Sequence, residues 1–190
     1  MRHSSKPLLF RPHSSSFLFL LLFFIVLSSC KKNPDYWLRD YWGEIRATKN
    51  GEVWEDGLIY GHLKAEPTHI GSDFNIDVFK NGTRIEDLYL YRIPNIPGYY
   101  HFVHSSARDS IEDPGAWYTE ILADGDVFGD SYDVLEGDDS YIEVLSRQGD
   151  KITAQFQLVM IRDTTWGIGN PSLPDTIRFT DGYIHTKLND

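Results

Sequence analysis

From Tyr41 onward the apolar residues recur with period two, not 3.6. Asp73-Phe74-Asn75-Ile76-Asp77-Val78 alternates strictly. Lys151 to Met160 sets Ile152, Ala154, Phe156, Leu158 and Met160 on one face, with Thr153, Gln155 and Gln157 on the other. This is the pattern of half-buried strands. Turn chemistry falls between such segments. Asn50-Gly51 separates 44–48 from 53–54, and Asn81-Gly82 separates 74–80 from 84–92. Gly149-Asp150 separates 141–146 from 151–161. Asn-Gly supplies the two positive φ angles of a type I′ hairpin turn, and Gly-Asp suits type II′. Further strands are expected at 57–64, 99–104, 116–122, 176–179 and 183–188. Many short strands without a crossover helix predict a single all-β domain over 41–190, an antiparallel β-sandwich; a lipocalin-like closed β-barrel is the alternative.

The first thirty residues follow another rule. Arg2, Lys6 and Arg11 precede an unbroken apolar run, Phe17 to Leu27. As a helix that run is too short for a bilayer core, which takes about 20 residues. A basic segment, a short apolar run and then small residues form the layout of an export signal. The run ends Leu27-Ser28-Ser29-Cys30, and Cys30 is the only cysteine in the chain. This tetrapeptide resembles a bacterial lipobox. The resemblance implies a signal peptide over 1–29, a diacylglycerol thioether and acylated amine (palmitate among the chains) at Cys30, and a tether over 30–40. Several acyl chains give stable membrane anchoring where one is marginal. Lys31 stands where lipoproteins retained in the inner membrane usually carry aspartate, so the outer membrane is the expected location.

Composition sharpens this picture. The chain holds 28 Asp+Glu against 18 Lys+Arg, and loss of the three basic signal residues takes the formal net charge from -10 to -13. Such a balance excludes a nucleic-acid partner, because phosphate binding rests on Lys and Arg. One cysteine excludes an internal disulfide and any cysteine-rich metal site.

Residues 109–139 contain eleven acids and no Lys or Arg, densest at Asp124-Gly125-Asp126-Val127-Phe128-Gly129-Asp130-Ser131-Tyr132-Asp133. Clustered aspartates with glycine can supply the six to eight oxygens that Ca²⁺ takes. Asp124, Asp126, Asp130 and Asp133 are therefore the candidate ligands, and Ca²⁺ the one candidate cofactor. Phe128 and Leu135 break the EF-hand template, so a solvated acidic loop is the competing reading. Carboxylate pairs could also serve a small hydrolase such as a glycosidase, but with so many acids no pair stands out. The chain has no G-x-S-x-G elbow, and Pro171 and Pro174 rule out a dinucleotide loop at Gly167–Ser172. His101 and His104 lie three apart in an expected strand and would face opposite ways.

The aromatic residues favour binding over catalysis. Tyr and Trp pair a flat apolar face with a polar handle, which suits sugar stacking and protein interfaces. Trp117 and Trp166, both near turns, are the candidate ligand contacts, whereas Trp54 and Tyr60 are expected in the core or in strand pairs. Ile45–Trp54, Gly149–Phe156 and Asp175–Ile184 together resemble the small β-rich lipoproteins of unknown function found in Bacteroidota. That resemblance implies an envelope location and brings no catalytic residues. The expectation is a non-catalytic binding or structural envelope module for a glycan or protein, with a carboxylate hydrolase and a calcium-stabilised domain as alternatives.

Overall fold

A computed structural model describes residues 42–54, 57–66, 69–81, 83–105, 113–122, 128–165 and 169–189, with backbone only at 60–66, 69 and 70. The expected signal segment, Cys30 and the tether to residue 40 lie outside these. Every regular element among the described residues is a strand: β1 (Gly43–Lys49), β2 (Glu52–Trp54), β3 (Gly57–Glu66), β4 (His69–Lys80), β5 (Thr83–Pro94), β6 (Gly98–His101), β7 (Gly115–Ile121), β8 (Phe128–Val134), β9 (Tyr141–Gln148), β10 (Lys151–Arg162) and β11 (Thr176–Asn189). They form one compact unit, Asp40–Asp190.

Strand order is β2-β1-β11-β3-β4-β5-β7-β8-β10-β9-β6, with β10 also pairing with β11. Two of these links are short. β8 meets β10 at only three paired positions, and β3 meets β11 in parallel at two, Gly61↔Leu188 and His62↔Asn189. All other pairings are antiparallel. The result is a sandwich, β3-β4-β5-β7-β8 over β6-β9-β10-β11-β1-β2, pinned at its sides and not laced evenly into a barrel. Phe74, Ile76, Leu88, Leu90 and Tyr118 from the first layer and Ile152, Phe156, Leu158, Phe179 and Ile184 from the second share one buried core. Each large side chain so buried contributes roughly 1.5–3 kcal/mol. Trp54 joins this core as expected, 5.0 Å from the Phe179 ring.

Asn50 and Gly51 carry the two positive φ angles (53° and 86°) of the expected turn, and Asn81 and Gly149 are likewise positive. Three expectations need correction. Residues 128–134, read as part of an acidic loop, form β8, because Tyr132 and Val134 are fully buried and draw the segment into the sheet. The strand expected over 99–104 ends at His101, since Phe102 and Val103 turn their amides to Ser140 and Pro114 carbonyls. The two strands expected at 176–179 and 183–188 are one strand, continued through a bulge at Asp181.

Candidate binding platform

Alternation turns the polar partners of the core residues outward, and register then aligns them. On the outer face of the second layer, Tyr99 lies opposite Glu143, Glu143 opposite Gln155, Gln155 opposite Tyr183, and Tyr183 opposite Arg46. The row crosses five strands and, at about 4.8 Å per strand, spans roughly 19 Å. Its aromatic residues are ordered by neighbours. Tyr99 stacks on Tyr141 with ring centres 4.5 Å apart, and the Arg46 guanidinium lies 4.7 Å above the Tyr183 ring.

A bulge hollows this face. Between Arg46 and Thr48 on one side, and between Phe156 and Leu158 on the other, β11 spends one residue more than its neighbour. Asp181 takes up the excess at φ 52°. Gly182 follows, where a Cβ would sit 2.5 Å from the Phe156 carbonyl oxygen, so only glycine fits. The resulting concavity, of about 500 Å³, is lined by Arg46, Thr48, Tyr141, Gln155, Gln157 and Tyr183 among others. Hydrogen-bonding side chains and tyrosine faces in one shallow cup suit a polar ligand with flat apolar patches.

The interior carries charge at the other end of the same strands. Lys49 pairs with Glu86 across the layers at 2.7 Å and donates to the Tyr118 hydroxyl at 3.0 Å. Trp54 Nε1 donates to Glu86 Oε2 at 2.7 Å. Burial, then the charges of Glu86 and Glu120, push the Tyr118 phenol well above its usual range. Burial also raises the Glu120 carboxyl, with Lys49 the first charge opposing it. Each charge has an opposite partner nearby, as a low-dielectric site requires. Glu86 points inward because β5 bulges: Phe79 faces Arg84, but Val78 faces Glu86, leaving Ile85 over.

The same bulge sets Asp87 directly opposite Asp77 on the outer face of the first layer. Burial first, and the Asp77 charge second, lift the Asp87 carboxyl to about 6, while Arg84 pulls it back. Asp87 Oδ1 and the neighbouring Asn75 Oδ1 are buried without a hydrogen-bond partner. Trp117 belongs to this face too. It sits in β7 between Tyr89 and Asp133, half-buried, its indole N–H donating to Thr119 Oγ1 at 2.6 Å.

The aspartates singled out from the sequence are dispersed. Asp130 is 1% exposed, accepts the Gly169 and Asn170 amides at 2.8 and 2.9 Å, and lies 3.6 Å from Arg162 Nη1. Asp133 accepts the Ser105 amide at 3.2 Å and lies 3.8 Å from His104 Nε2. These two carboxylates hold different segments. Asp124, Asp126, Trp166 and Cys30 lie outside the described residues, among which no group of three or more His, Cys, Asp or Glu side chains is placed to hold a metal ion. Sequence reasoning missed the tyrosine row. Gln155 and Gln157 already showed as outward positions of β10, but Tyr99, Tyr183 and Arg46 join them only through register. Comparison with family models, with curated proteins and with solved structures finds no match.

The fold and this face define a β-sandwich with a polar, aromatic outer platform.

Proposed function

We propose that this chain is a membrane-anchored extracytoplasmic lipoprotein, a non-catalytic envelope module that binds a glycan on the outer face of β6-β9-β10-β11-β1. The observation that carries the reading is the register-aligned row Tyr99–Glu143–Gln155–Tyr183–Arg46 beside the Gly182 concavity. The length of the row suits several sugar units in an extended chain. The basic segment, the apolar run and Leu27-Ser28-Ser29-Cys30 support the anchor, and Lys31 supports the outer membrane. The test is calorimetric titration with envelope polysaccharide fragments. Tyr183→Ala and Tyr141→Ala each weaken binding by about tenfold or more, the cost of one lost stacking contact plus desolvation. Trp117→Ala, on the opposite sheet, leaves it unchanged. Binding that survives both tyrosine changes overturns the reading.

A second reading, a small carboxylate-dependent glycosidase, rests on the Asp77–Asp87 pair. Directly opposed strand positions hold their Cβ atoms about 4.5–5.5 Å apart, close to the spacing a retaining glycosidase uses. The raised Asp87 carboxyl beside Trp117 and Tyr89 would serve as its acid.

A further inference from the structure

The end of the second layer where the chain emerges has a chemistry unlike the rest of this acidic molecule. Trp42, immediately before β1, is 38% exposed. Two ammonium groups bracket its ring, Lys187 Nζ at 4.9 Å and Lys151 Nζ at 5.3 Å from the ring centre. The two lysines are direct cross-strand partners, Lys151 at the start of β10 and Lys187 near the end of β11. Trp42 is itself held in place, its amide donating to the Ile59 carbonyl at 3.1 Å and its carbonyl accepting the Thr186 hydroxyl at 2.5 Å. His185 lies 5.6 Å from the indole, and Arg147 stands exposed near the adjoining hairpin, with its Nε donating to the Gly149 carbonyl at 3.2 Å. Glu44 and Asp150 are acids of this end among the described residues, and Asp40 and Asp190 lie close by in sequence, so what marks the end is the gathering of two ammonium groups on one indole.

We infer that this end is a docking surface for a membrane bearing anionic phospholipid headgroups. Two features of the chain point to that occupant. Trp42 follows Cys30 by twelve residues, so the tether reaches at most about 40 Å and holds this end within reach of the bilayer that anchors it. An indole flanked by ammonium groups also matches the membrane interface, where Trp sits at headgroup level and lysines meet phosphate. At the far end of the same strands, the hairpin between β10 and β11 mixes Asp163 and Asp175 with Arg162 and Arg178, and bears no comparable exposed indole between lysines among the described residues. Docking through the Trp42 end sets an orientation, with the β10–β11 hairpin at the opposite end of the strands furthest from the lipid. The inference rests on the lipid-anchor reading for its biological setting, but the surface itself can be tested without the anchor.

The experiment uses the chain from residue 30 onward with Cys30→Ser, which retains the whole compact unit and cannot be acylated. Co-sedimentation is measured with vesicles of phosphatidylethanolamine plus phosphatidylglycerol, and with vesicles of phosphatidylcholine alone. The protein partitions onto the anionic vesicles and not the neutral ones, and salt releases it. Lys151→Gln with Lys187→Gln weakens partitioning by about tenfold or more. Arg178→Gln, an exposed change at the opposite end of β11, leaves it unchanged. Lys31 and Lys32 are present throughout and so cannot produce the difference. Absence of partitioning, or a double variant that partitions like its parent, overturns the inference. Failure of the anchor reading shows separately, as absence of acyl labelling at Cys30.

Discussion

Asp87 owes its chemistry to a one-residue offset. Counted back from the Asn81-Gly82 turn, Asp77 should face Glu86, but the extra residue Ile85 shifts the pairing so that Asp77 faces Asp87 and Glu86 turns inward to Lys49. Two carboxylates then share an outer position, and burial raises one of them to about 6. In the unfolded chain Asp87 returns to 3.8. Between those values the folded chain keeps a proton that the unfolded chain has released. Its stability therefore falls as pH rises through the window, and the penalty is complete above about pH 6. Asp87→Asn removes the penalty. It should raise unfolding stability at neutral pH by about 3 kcal/mol and leave it unchanged near pH 3.5. Thermal unfolding of both chains across that range checks this. On the carboxylate-pair reading the same substitution also abolishes hydrolysis of chromogenic glycosides, and a parent chain that cleaves none of them removes that reading.

At the scale of elements, Arg162 ties the β10–β11 connection to β8. Its guanidinium donates to the carbonyls of Asn170 at 3.0 Å, Leu173 and Pro174, lies 3.6 Å from Asp130, and covers the Tyr132 ring. Asp130 grips the same connection through the Gly169 and Asn170 amides. The acidic run noted in the sequence thus contains a structural anchor at Asp130, and the cation opposite it lies 32 residues further on. Nothing local marks such a pair, since the partner is chosen by the three-position seam between β8 and β10. Arg162→Ala leaves a buried carboxylate unpaired and should cost about 3 kcal/mol. Limited proteolysis checks the local effect, with new cleavage concentrated in 163–175 and the rest of the sandwich protected.

For the whole molecule, distinct surfaces lie at different positions along the strands: the lysine-bracketed Trp42 at one end, the tyrosine row on the middle of the outer face, and the β10–β11 hairpin at the other end. The proposed lipid anchor is tested at this scale as well. Cys30→Ser should abolish palmitate labelling in cells and shift the protein from the membrane fraction to the soluble one. Retention of the label would place the acyl chain elsewhere.

Much of this organisation was legible before any coordinates. Period-two alternation placed Phe74, Ile76, Ile152, Ala154 and Phe156 in a core, and Asn50-Gly51 announced its turn, because side-chain direction and positive φ are local properties. What only the tertiary structure decided are the relations across strands: which tyrosines share a row, which aspartate meets Asp77, and which cation answers Asp130. A single bulge residue, Ile85 or Asp181, changes those relations without changing the alternation on either side. Composition and period are sums over near neighbours, so the chain carries them openly. Register is settled by packing between distant segments, and it exists only once the two layers have closed on their core.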